Sequence, residues 1–224
     1  MSGHAITEQD APTVWIPIKE YPSALFAHTV KAVCQRCNNG WMADLEARAE
    51  RILAPLLRGE PTALHPRHQK VLATWAVKTA LVMSHLRPWS EAIPRSEYRE
   101  FFESQVPGPR HLVWIAQRNA PTVDGQKIVE MAIQPVTNIL VYGTDPIDEA
   151  SRAYRATFGV GRLAMQVFGQ TFADPFTLQI PHDLPASPVW PPTASFTWPD
   201  KPALETAIRG VLGWHETYDN VTWT

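Results

Sequence analysis

Residues 71–86 present almost no polar face through any helical turn, and this stretch constrains the rest of the chain. Only Thr74, Lys78, Thr79, Ser84 and His85 interrupt its apolar residues. A helix without a wet side must be covered all round, so it becomes a central helix that other elements wrap. The pattern predicts that helix over residues 67–86, stopped by Arg87-Pro88. No unbroken apolar run of roughly 18 residues occurs, so the expectation is a core helix and no membrane span. The 224 residues suffice for a core of that size.

The covering elements can be read on either side. Upstream, Trp41, Leu45, Ala49, Ile52 and Leu56 recur at three- and four-residue spacing, one face of a helix that Pro55 and Gly59 should end. Residues 14–19 and 25–33 alternate and are rich in β-branched and aromatic types, which suggests a hairpin leading into Cys34. Downstream, a short helix is expected over residues 96–105. Strands follow at 111–117, 127–133, 136–142, 153–160 and 163–168, forming a largely antiparallel sheet. Asp124-Gly125 should turn between the first two, and Gly159-Val160-Gly161 should bend between the last two. Residues 181–202 hold seven prolines with Trp190 and Trp198, which predicts an extended arm without regular structure. A last helix is expected over 203–212, after Asp200-Lys201-Pro202. The fold class is α+β: residues 1–107 carry a turn motif and a helical layer, and residues 108–224 carry the sheet and its arm. With no flexible linker between them, the two parts are expected to share one core.

Charge narrows the partners. A net charge of −2 speaks against a general nucleic-acid binder. Residues 31–70 nevertheless hold seven bases against four acids, with Lys31, Arg36, Arg48 and Arg51 nearest the motif described next. Residues 1–10 have neither a basic start nor an apolar leader, so the expected compartment is the cytoplasm.

The chain has two cysteines, and they stand three positions apart. In a cytoplasmic setting that pattern points to metal or redox chemistry, because a C-x2-C turn aims two sulfurs at one point. Asn38-Asn39-Gly40 reads as a turn and a cap for the helix that follows. The stretch from Val33 through Cys34-Gln35-Arg36-Cys37-Asn38-Asn39-Gly40-Trp41-Met42 to Glu46 resembles the second zinc knuckle of a bacterial and phage group in the HNH endonuclease superfamily. The likeness extends over about residues 30–85, with Trp75-Ala76-Val77-Lys78-Thr79-Ala80 its clearest later part.

The resemblance implies metal-dependent hydrolysis of DNA phosphodiesters. In the family a four-cysteine zinc site braces the motif, and a histidine base acts beside a divalent ion such as magnesium. Cys34 and Cys37 match the second cysteine pair, and Asn38 stands where many members carry histidine. The first cysteine pair and the Glu-His or Asp-His pair have no counterpart before Cys34. Hydrolysis is therefore expected to be incomplete in this chain.

Two other classes stay open. One is a non-catalytic module that binds nucleic acid or a protein, with a homodimer pairing two knuckles as one form. The other is a thiol-redox protein using Cys34 and Cys37, disfavoured because Asn38-Asn39-Gly40 should interrupt the helix that a redox pair opens. Histidine substitutes for the missing zinc ligands are not expected. His28 would lie about 20 Å from Cys34 along an extended strand, and His65 and His68 read as surface residues at a helix entry. Trp41 and Trp75 are expected to pack, and Lys78 to snorkel.

Overall fold

The computed structural model describes residues 33–85, 93–119, 122–123, 126–127, 130–136, 153–171 and 185–204. Within them the protein is α+β, with helices packed on antiparallel strands. The proposed hairpin at 14–19 and 25–33 lies outside the described residues, apart from Val33.

The helical layer begins with α1 (Gln35–Cys37), passes through a wide π-type turn (Asn38–Met42) and continues as α2 (Ala43–Arg58). Leu45, Ala49, Leu53 and Leu56 form the buried stripe of α2. Pro55 does not end this helix but sits inside its last turn, because a proline near a helix end forfeits one hydrogen bond without blocking the turn beyond it. Gly59 is the actual stop. At φ +78° it lets Gly59 N–H reach Leu56 O and Glu60 N–H reach Pro55 O, each at 3.0 Å.

After β1 (Thr62–Leu64) comes the central helix α3 (Pro66–Met83), entered through His65 with Pro66 in its first turn. From Val71 to Ser84 no residue is exposed, as the apolar pattern required. The helix stops short of its expected end: His85 is already exposed, and Leu86 lies outside the described residues. α4 (Arg95–Ser104) completes the layer.

The main sheet has five described strands in the order β5 (Glu130–Val136), β6 (Ala153–Val160), β7 (Leu163–Gln170), β2 (His111–Gln117), β8 (Ser187–Trp190). Each neighbouring pair is antiparallel. The β6–β7 hairpin turns through Gly161 and Arg162, as the glycines suggested. Gly161 has φ +55°, and a Cβ there would lie 2.5 Å from Leu57 O. The same carbonyl accepts Arg162 N–H at 2.9 Å, so the hairpin tip is fastened to the end of α2.

Other expectations need correction. Residues 127–133 and 136–142 are not two strands; β5 runs unbroken from Glu130 to Val136 and includes Pro135. Among the described residues β5 stands at the edge of the sheet, where a residue without N–H is tolerated. Residues 137–142 lie outside the described residues. Asp124 and Gly125, also outside them, separate the small ladder of β3 (Thr122–Val123) and β4 (Gln126–Lys127) rather than two strands of the main sheet. The proline-rich arm is not irregular throughout. It adds β8 to the sheet edge and pairs β9 (Phe196–Trp198) with β1, Thr62 opposite Trp198. Leu204 is not helical: its N–H reaches Gln117 O at 2.8 Å in a bridge beside β2, and the rest of the expected last helix lies outside the described residues.

One apolar cluster joins these layers. It includes Leu56 of α2, Leu72 and Val77 of α3, Val113 and Ile115 of β2, Met165 of β7 and Trp198 of β9. Fully buried leucines such as Leu56, Leu64 and Leu72 each contribute about 1.5–3 kcal/mol by leaving water. No helix among the described residues is long and apolar enough to cross a membrane.

Candidate functional site

Cys34 holds an extended conformation, φ −69° and ψ 152°, and caps α1: its sulfur accepts Cys37 N–H at 3.4 Å, while its carbonyl accepts Asn38 N–H at 3.0 Å. The two Sγ atoms lie 2.9 Å apart and share a thiol hydrogen bond. Cys34 is exposed, and Cys37 is turned inward. This asymmetry separates their acidities. The hydrogen bonds from Cys37 hold the Cys34 thiol below the ordinary value, with a smaller contribution from the Arg36 charge. The shared bond, burial and the charge of Cys34 push Cys37 up.

The interruption expected at Asn38-Asn39-Gly40 is present, at the last of these residues. Helical backbone starts directly after Cys34 and includes Asn38, at φ −63° and ψ −45°. The break comes at Gly40, φ −101° and ψ −117°, inside a wide turn that keeps the chain winding into α2. Asn-Asn-Gly favours turns locally, but here the turn is absorbed as a kink. The objection to a redox pair, that its helix is interrupted just after the second cysteine, therefore stands.

Three of the basic residues singled out from the sequence lie among the described residues. Arg36, Arg48 and Arg51 are all exposed; Arg48 Nε donates to the carbonyl of Asp44 at 3.3 Å. Exposed Asp44, Glu46 and Glu50 alternate with them along α2, so its outer face has mixed sign. Lys31 lies outside the described residues. Lys78 is paired with Glu46, which also accepts Trp75 Nε1–H at 2.7 Å. Those bonds tie α2 to α3. Trp41 packs on Phe101 with ring centroids 6.1 Å apart, and Trp75 meets Phe158 edge-on at 6.0 Å.

His65 and His68 have local occupations. His65 Nδ1 lies 2.9 Å from Ser195 Oγ, and His68 Nδ1 lies 3.1 Å from Ala63 O. His28, His182 and His215 lie outside the described residues. Among the described residues, no three His, Cys, Asp or Glu side chains stand together as a metal set. Cys34 and Cys37 thus provide two thiolates toward the four that a tetrahedral zinc site needs. Asn38 is exposed, and its amide has no basic nitrogen with which to take a proton.

Sequence reasoning missed one polar cluster altogether. His111 on β2, Tyr154 on β6 and Glu97 on α4 meet in the interior, all buried. His111 Nε2 lies 3.0 Å from both Glu97 Oε2 and Tyr154 Oη, and Tyr154 O–H donates to Glu97 Oε2 at 3.4 Å. Burial, reinforced by the Glu97 charge, pushes the Tyr154 phenol well above its ordinary value. Glu97 Oε1 and His111 Nδ1 are buried without hydrogen-bond partners among the described residues. No local motif signals this group, because its members come from three elements.

Compared with known proteins, the chain matches no protein-family model, no curated protein and no solved structure.

Proposed function

We infer that this chain is a knuckle protein of HNH-endonuclease type that binds through its dithiol without cutting DNA. The observation carrying this reading is the convergence of Cys34 and Cys37 sulfurs, 2.9 Å apart at an exposed helix start beside Arg36. The pair becomes one half of a zinc site when its sulfurs spread from 2.9 Å to the about 3.8 Å that tetrahedral Zn–S bonds require, and two copies of the chain would together supply four thiolates. Zinc there would brace the turn. Hydrolysis would further require a base to activate water and a cation such as magnesium at the scissile phosphate. Asn38 cannot act as that base. Contact with DNA through Lys31, Arg36, Arg48 and Arg51 would be weak and salt-sensitive, because acids interleave with these arginines on α2.

Elemental analysis with light scattering tests the metal part. The expected result is zinc below one per chain, approaching one per two chains only in a dimer. One zinc per chain in a monodisperse monomer would overturn the shared site. A plasmid-nicking assay with magnesium, manganese, nickel and zinc tests the rest. No nicking is expected; nicking that disappears in Asn38→Ala would establish a catalytic site at this turn.

A second reading, thiol–disulfide exchange, is favoured by the acidity split. An exposed, more acidic Cys34 suits attack on a partner disulfide, and inward Cys37 suits release of the mixed disulfide. The partner would be reduced to two thiols as Cys34 and Cys37 close their own disulfide, so two electrons leave the pair. Pulse alkylation with iodoacetamide, read by peptide mass, should label Cys34 first and below the pH of ordinary thiols. Equal labelling rates would remove this reading.

A further inference from the structure

Beside the dithiol turn, the end of α3 and the face of α4 line a half-open cavity of about 340 Å³. Its walls are apolar and largely aromatic: Trp41, Leu81, Val82, Tyr98, Phe101 and Phe102. Phe102 is 50% exposed, which makes it the exposed large hydrophobic side chain among the described residues. Water in such a space has few partners, so an apolar body of one or two rings would displace it favourably.

The polar lining has one sign. Lys78, Arg95 and Arg99 border the cavity together with the His85 ring, and no Asp or Glu among the described residues does. These groups are not equivalent. Lys78 is committed to Glu46, and the His85 ring lies against Tyr98 at 4.9 Å. Arg95 and Arg99 are exposed one helical turn apart on α4, without a carboxylate partner among the described residues.

We propose that this cavity is a binding site for a small aromatic carboxylate, its ring held among the aromatic walls and its carboxylate facing Arg95 and Arg99. Guanidinium groups match a carboxylate in shape as well as charge, and apolar walls reject a heavily hydrated polyanion. The size of the space suits a small molecule, and the basic groups among its described lining residues disfavour a cation. The site stands whatever the dithiol carries, because none of these residues is Cys34 or Cys37.

Calorimetric titration of the full chain with indole-3-acetate, indole and tryptamine tests this, since the three share a ring and differ in charge. Indole-3-acetate should bind more tightly than indole, and tryptamine should bind weakest. The double substitution Arg95→Gln and Arg99→Gln, at exposed positions, should weaken indole-3-acetate on the order of tenfold and leave indole unchanged. Val82→Trp, which fills the cavity, should abolish binding of all three. Absence of indole-3-acetate binding at millimolar concentration overturns the proposal. So does equal binding of tryptamine, or an anion preference that survives loss of both arginines.

Discussion

Tyr154 lies directly opposite Gly169 in the β6–β7 pair, and a Cβ on that glycine would meet its ring at 2.3 Å. The missing side chain makes room for the phenol to reach Glu97 and His111. The buried phenol is held neutral, so its contribution to stability is complete below the ordinary phenol value of about 10 and is lost as pH climbs past it. Tyr154→Phe removes that dependence and also one hydroxyl from a group already short of partners. We expect it to cost about 1–3 kcal/mol at pH 7 while flattening the alkaline fall in stability, as urea unfolding at pH 7 and 10.5 will show. An unchanged alkaline limb would place the titration elsewhere. At this scale, legibility followed adjacency. Cys34 and Cys37 announce themselves because one turn joins them, whereas Tyr154 stands 43 residues from His111 and 57 from Glu97.

Among the elements, α3 was readable because its burial is written in a single continuous pattern, and the β6–β7 hairpin because its turn needs glycine. The arm was not readable in the same way. Its prolines signal extended chain, but pairing depends on partners more than 70 residues away: β8 lies beside β2, and β9 beside β1. Gln69 explains how α3 receives the arm. Its amide donates to Leu64 O and Ala194 O, each at 3.0 Å, and its oxygen accepts Thr193 N–H at 2.7 Å. One side chain thereby satisfies the backbone on both sides of the β1–β9 ladder. Gln69→Leu keeps the volume but strands those groups, and should cost about 2–4 kcal/mol. Unfolding by urea measures the loss, and limited proteolysis should cut faster around residues 191–196. Wild-type stability together with wild-type cleavage would show that the ladder alone holds the arm.

For the molecule as a whole, the apolar cluster runs from Ala49 to Trp198 and contains neither cysteine. Its stability should therefore not hang on the dithiol, in contrast to small fingers that unfold without metal. Cys34→Ser with Cys37→Ser keeps a side chain able to cap the helix, so we expect cooperative melting with Tm lowered by less than about 5 °C. Loss of the cooperative transition in scanning calorimetry would mean that the dithiol turn organises the core. The α+β class was legible because helical and alternating patterns occupy separate halves of the chain. The strand order was not, since β2 skips its successors to pair with β7 and β8.

The β1–β9 pairing also fixes an order of events during synthesis. Thr62 leaves the ribosome long before Trp198, the residue it must face. At about 5–20 residues per second, the wait is on the order of ten seconds. Through that interval the β6–β7 hairpin can close as soon as it emerges, whereas β1 lacks β9 and the Gln69 side chain lacks its partners Thr193 and Ala194. The nascent chain must therefore carry an open strand edge beside its most apolar helix until nearly all the described chain has been made.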